Sequence, residues 1–300
     1  MGIDCLKQAV AIDPGLALAH AWLAHFYMEE YGGLVQDQSV MYPMVENSIK
    51  KALALDDTLA VAYSSRGLLR LDMQWDFAGA ERDLLKAIEL APGDMMIPLV
   101  YEAFLCWSGR ADEAVVSLKQ RVERRSPVGL ESRYVERQAF HYLWAGRYKE
   151  ALEELSKVPT SGFILNWLWA NAKALNGGFI EALATMDKIK DLASKDFGGL
   201  FASDYALMLA QAGRSEEALR SLDELVSTLS RKNISTAFEE ARVYAGLGDK
   251  DKALSLLNRA YESRSNRITF LVSDWALHSL HGDPRFQELA RKVGFPELPN

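Results

Sequence analysis

The chain has 300 residues, of which 49% are hydrophobic, 25% charged and 10% aromatic. That balance excludes a disordered or collagen-like chain, and its apolar runs are too short for a membrane-spanning helix. Lys plus Arg number 34 against 41 for Asp plus Glu, and the net charge of -7 leaves no electrostatic footprint for nucleic acid.

The first twenty residues hold acids and a proline where a secretory signal needs a basic start and an apolar stretch, so a cytoplasmic location is expected. The two cysteines, Cys5 and Cys106, are too few for a disulfide framework. Both are expected as small buried apolar residues.

Self-similarity organises the chain. A helix over about residues 3 to 12, ended by Asp13-Pro14, opens it. Next comes a helix carrying Leu23, Ala24 and Tyr27. The segment from Met28 to Met44, with Gly32-Gly33 and Pro43, is a long excursion, read as an extended helix with a loop or as a lid. From there a turn followed by Ala recurs: Trp75 with Ala80, Gly109 with Ala114, Gly146 with Ala151, Gly177 with Ala182, Gly213 with Ala218 and Gly248 with Ala253. The alanines are spaced by 34, 37, 31, 36 and 35 residues. Each sits where two helices of a hairpin cross closely. Four residues later a large apolar side chain follows, Leu84, Leu118, Leu155, Met186, Leu222 or Leu257, at helical spacing. Eight or so hairpins are expected, the first supplying only its second helix. No strand pattern competes, so the expected fold is an all-α solenoid. After Arg264 the repeat stops. Asp283-Pro284 opens a last helix whose face, Phe286, Leu289 and Val293, is expected to cap the stack. The expected division is a solenoid over 1–282 and a capping helix and tail over 283–300, in one continuous domain.

The period and these positions resemble tetratricopeptide repeats over residues 17 to 264, and the resemblance implies that the solenoid winds as a right-handed superhelix. More narrowly, Val243 to Lys250, Ala260 to Arg264, Gly282 to Phe286 and Val293 to Pro296 resemble the C-terminal module of bacterial signalling proteins. In that family the module follows a winged-helix domain, a nucleotide cyclase or a serine/threonine kinase. The resemblance implies an upstream effector domain, absent from these 300 residues. In that family, too, the stretch matching Asp274 to His281 is richer in Asp and Pro, which leaves the local turn here open.

Signatures of catalysis are missing. Glycines fall singly or in pairs at turns, so there is no phosphate loop, no Gly-x-Ser-x-Gly elbow and no His-Arg-Asp triplet. The pairs His20/His25 and His278/His281 lack the further ligands zinc needs and read as solvated or capping side chains. Paired acids such as Glu153-Glu154 and Glu216-Glu217 read as solvated faces. The basic run Lys119, Arg121, Arg124 and Arg125 reads as charge at a helix end. No cofactor or metal is expected.

In tetratricopeptide superhelices the first helices line a concave groove. Counting back from the alanines places Arg133, Glu136, Phe140, Trp167, Asn171, Phe238 and Arg242 on that surface as candidate partner-binding residues. Trp167 is the first choice for a contact, set against the alternative that these aromatics pack between adjacent hairpins. The Lys/Asn clamp of chaperone-binding relatives is absent. The expected function is non-enzymatic binding of a protein or peptide, as the sensory half of a bacterial signalling or transcription-regulatory protein, with no direct nucleic-acid or membrane binding. The alternatives are a self-standing scaffold or assembly factor, and an enzyme with an unrecognised site on the Met28 to Met44 excursion.

Overall fold

In a computed structural model, residues 2–32, 38–124, 131–192, 198–231 and 234–296 are described. Each glycine of the recurrent turn does the same work. Gly109, Gly146, Gly177, Gly213 and Gly248 all have φ between +70° and +89°, a conformation that a side chain resists. The residue after each glycine donates its backbone N–H to a carbonyl five residues back, as in Arg110 to Leu105 and Asp249 to Tyr244. The glycine N–H itself is bonded three residues back, which completes a Schellman cap and ends the helix. Trp75 occupies the equivalent position of the third hairpin with φ of 57°. Adopting it without glycine costs about 1 kcal/mol, and a π turn over Arg70–Gln74 precedes it.

These turns divide the described residues into helices and no strands. The helices are α1 (Gly2–Ile12), α2 (Ala17–Gly32), α3 (Gln38–Leu55), α4 (Ala60–Leu69), α5 (Phe77–Leu90), α6 (Ile97–Trp107), α7 (Ala111–Arg124) and α8 (Glu131–Trp144). They continue as α9 (Tyr148–Leu155), α10 (Gly162–Leu175), α11 (Phe179–Ile189), α12 (Gly198–Gln211), α13 (Ser215–Ser230), α14 (Ala237–Gly246), α15 (Lys250–Glu262) and α16 (Pro284–Val293). Helix α1 stands alone as a second helix, and seven pairs follow it. The excursion after Met28 is taken up by α2 and by α3, which holds Pro43 inside it, while residues 33–37 lie outside the described residues. No described helix is long and apolar enough to cross a membrane.

Alanines 80, 114, 151, 182, 218 and 253 are all fully buried. The reason is visible at Ala80. A Cβ added to Gly67 on α4 would meet Leu84 Cγ at 2.7 Å and the Ala80 carbonyl oxygen at 3.2 Å, so the helices touch backbone to backbone. Cys106 is buried as expected, but Cys5 is exposed, because α1 has no fully buried residue.

The chain forms two compact units, Met1–Phe104 with Lys232–Ile234, and Leu105–Arg231 with Ser235–Asn300. In the first, Leu23, Tyr27, Met41, Val45, Ile49 and Leu69 form the core between α2, α3 and α4. Asp83 of α5 accepts two hydrogen bonds from Arg66 of α4, both at 2.7 Å, and pairs with Arg70 at 2.8 Å. In the second unit, α16 begins at the Asp283 cap, whose side chain accepts the Arg285 N–H, and Phe286, Leu289 and Val293 are buried. Between α15 and α16 the chain runs as two 3-10 helices, Asn266–Phe270 and Trp275–Leu280.

Candidate functional site

Those two 3-10 helices form a strap across the first helices of the second unit. Its apolar side chains Ile268, Leu271, Leu277 and Leu280 are fully buried. Phe270 meets the Trp107 ring edge-on at a centroid distance of 5.3 Å and the Trp144 ring at 5.5 Å. Trp275 lies 5.4 Å from Trp144. A Cβ on Gly109 would touch Val272 at 3.4 Å, and Ser273 Oγ donates to the Trp107 carbonyl at 3.3 Å. The strap therefore reaches from the end of α6 across α8 to α14.

Its polar centre is Arg242 of α14. One Nη donates to Ser203 Oγ at 2.7 Å and the other to Asp204 Oδ1 at 2.7 Å, both on α12. Arg242 Nε is 2.8 Å from Asp274 Oδ2 in the strap. The guanidinium also lies over the Trp275 ring, 5.8 Å from its centroid. Asp204 Oδ2 accepts the Trp167 indole N–H at 2.9 Å, linking α10, and Asn171 Nδ2 donates to the Trp167 carbonyl. Asp274 has a second role, since Oδ1 accepts the Ala276 N–H and caps the second 3-10 helix. Beside this network Glu239 Oε1 lies 3.4 Å from Arg267 Nε.

Burial opposes the charge of Asp204, Glu239 and Arg242. It pushes the Asp204 and Glu239 carboxyls upward, against the pull of Arg242 and Arg267 respectively. For Arg242 burial works against the charge, but Asp274 and Asp204 outweigh it and hold the guanidinium protonated. Three acids (Asp204, Glu239, Asp274) face two bases (Arg242, Arg267), so acids outnumber bases by one. Glu239 Oε2 has no hydrogen-bond partner.

The seven candidate residues therefore fall into two groups. Trp167, Asn171, Phe238 and Arg242 are buried, at 6%, 2%, 2% and 2% exposure. Trp167 and Arg242 tie neighbouring hairpins together through Asp204, Arg242 also pairs with the strap, and burial closes the faces of all four in this conformation. This corrects the expectation of an open surface at these four. Arg133, Glu136 and Phe140 lie on successive turns of α8, with Arg133 exposed and the other two half-buried. Half-burial pushes the Glu136 carboxyl up, although Arg137 and Arg133 pull it the other way. The strap itself was the missed element, and its only signal in the sequence is Phe270 and Trp275 in a stretch without repeat.

The histidines serve the fold. His20 is buried with Nε2 3.0 Å from the Pro14 carbonyl oxygen, and the His278 and His281 rings lie 5.0 Å apart, tilted by 56°. No three His, Cys, Asp or Glu side chains converge among the described residues. Of the basic run, Lys119 lies over the Tyr142 ring and Arg121 over the Tyr134 ring, while Arg125 lies outside the described residues.

His141 of α8 is buried and held neutral by that burial, reinforced by Arg137 and Arg121, with its pKa down at about 3. The unfolded chain thus binds a proton that the folded one refuses. The stability from this group is complete above pH 6.5 and is lost as pH falls toward 3, by about 1.4 kcal/mol per pH unit at full slope. Urea unfolding of a His141→Leu variant between pH 4 and 7 is expected to show a pH slope flatter by about that amount. An unchanged slope would place His141 in contact with water.

No protein-family profile and no curated protein matches this chain. Among solved structures it is similar to a Rap protein complexed with competence and sporulation factor, at 12% identity over 83% of this chain and 78% of that one, with a TM-score of 0.58. It also aligns with Naa15/Naa10 bound to HypK-THB, at 17% identity over 97% of this chain and 43% of that one, with a TM-score of 0.32. The TPR domain of P58(IPK) aligns at 15% identity over 96% of this chain and 81% of that one, with a TM-score of 0.28. The likeness to the Rap protein extends over most of both chains and concerns the fold alone. Taken with the glycine-turned hairpins and their period of about 34 residues, it makes the chain a tetratricopeptide-like α-solenoid.

Proposed function

We propose that the chain is a non-enzymatic protein- or peptide-binding module, the sensory half of a cytoplasmic bacterial signalling protein. A ligand on the first-helix face would bias an attached effector domain. The observation that carries this reading is α8, where Arg133, Glu136, Arg137 and Phe140 form a stripe left accessible beside the strap, with Phe140 5.9 Å from the Trp144 ring. An aromatic ring with directed Arg donors is the composition of a binding hot spot. In support, the Rap protein of similar fold was solved with a factor bound to it.

The test uses the full chain as bait and a partner recovered with it, then purified. The double change Arg133→Glu with Phe140→Ser is expected to weaken binding at least tenfold while the helical circular dichroism is unchanged. The control is Ile180→Ser on α11, 85% exposed on a second helix, which is expected to bind normally. The reverse pattern would move the site to the second helices.

A further inference from the structure

The boundary beneath the strap differs from the alanine-leucine crossings inside the hairpins. Inside a hairpin, small residues such as Gly67 and Ala80 let the helices close on Leu84. Beneath the strap lie Trp107, Trp144 and Arg242, which meet the strap's own Phe270, Trp275 and Asp274 in ring contacts at 5.3 to 5.5 Å and an ion pair at 2.8 Å. Aromatics and arginine are the residues enriched in the centres of recognition interfaces. We propose that residues 266–281 are a displaceable internal ligand, and that a partner peptide binds the same face by presenting an aspartate followed at once by a bulky aromatic, with another aromatic four residues before the aspartate.

This deepens the proposed function and rests on the first helices being the binding face. The chemistry of the occupant is read from the strap. Arg242, already bonded to Ser203 and Asp204, turns its Nε edge to Asp274 Oδ2 at 2.8 Å, an ion pair without a hydrogen bond at that nitrogen. Its guanidinium then stacks on the very next side chain, Trp275. The Trp107 and Trp144 rings together hold Phe270. A peptide with these three groups at these spacings meets the same partners.

The closed state also carries costs that opening relieves. The network holds an excess acid away from water, and both Glu239 Oε2 and Trp144 Nε1 lack hydrogen-bond partners. Water would satisfy both once the strap lifts, and charges desolvated at an interface regain their hydration. The strap is two short 3-10 helices, whose internal hydrogen bonding is poor. The face beneath is built on α8, α12 and α14, which the hairpins hold independently. Being tethered, the strap competes at a high effective concentration, so a partner must bind tightly or act when the strap is weakened.

The probe is a fluorescent synthetic peptide with blocked ends and the sequence of residues 265–281, titrated into the full chain. Saturable binding is expected, and it should be at least tenfold tighter to the Asp274→Asn chain, whose own strap is weakened while Arg242 remains. Replacing the aspartate of the peptide by alanine should weaken its binding at least tenfold. In parallel, excess peptide should speed hydrogen exchange of the resident 266–281 amides and leave α14 protected. If Asp274→Asn does not fold, Arg267→Lys loosens the other end of the strap and takes its place. A folded variant that binds no peptide, with strap amides exchanging only on global unfolding, would overturn the proposal and make the strap a fixed part of the core. Dimers of the variant that form by trading straps would overturn it in favour of exchange between copies. Loss of binding with the α8 changes alone bears on the proposed function, not on the strap.

Discussion

Replacing Arg242 by methionine is expected to destabilise the second unit by about 3 to 5 kcal/mol, the cost of leaving buried carboxylates without their cation. Asp204 and Asp274 both face this guanidinium at 2.7 and 2.8 Å, with all three side chains nearly sealed from water. For a unit of this size that loss corresponds to roughly 6 to 20 °C in Tm. Methionine keeps the volume, so the effect reports charge, and Glu239→Gln is the natural contrast. It removes the excess acid whose Oε2 has no partner, so stability at neutral pH should stay the same or rise. Urea unfolding followed by circular dichroism compares the two. A loss below about 1 kcal/mol for Arg242→Met would mean that water reaches this network.

Trp275→Ala should cost a similar amount, about 3 to 5 kcal/mol, through a cavity between α8 and α14. The ring is 9% exposed, rests against Trp144 and lies under the Arg242 guanidinium. Trp275→Phe refills most of that volume and should recover more than half of the loss. If alanine and phenylalanine are equally harmless in calorimetry, the strap does not seat Trp275 on the first helices.

What the sequence makes legible is whatever repeats. Gly109, Gly146, Gly177, Gly213 and Gly248 announce the turns because only a positive φ closes a hairpin there. The buried alanines announce where helices cross, and Asp283-Pro284 announces the last helix by cap chemistry alone. The strap gives no such notice. A 3-10 segment has neither the period of a helix nor that of a strand, and Asp274-Trp275 reads as a local turn until Arg242, 32 positions earlier, is seen to face it. For the same reason the count from the alanines could place Trp167, Asn171, Phe238 and Arg242 on first helices but not foresee that those positions close. Trp167 bonds to Asp204 of the next hairpin, and Arg242 bridges that aspartate to the strap. Arg133 stays exposed and Glu136 and Phe140 half-exposed on α8, where no equivalent of the Asp204–Arg242 bridge is found among the described residues.

The C-terminal strap lies on the first helices through Arg242 and Asp274, and a double-mutant cycle tests that contact directly. Stability is measured for the wild type, Arg242→Met, Asp274→Asn and the combined variant. Direct contact between these buried charges predicts that the double variant loses less than the sum of the single losses, by at least about 1.5 kcal/mol. Losses that add within about 0.5 kcal/mol would contradict the contact and return the first-helix face to an open groove.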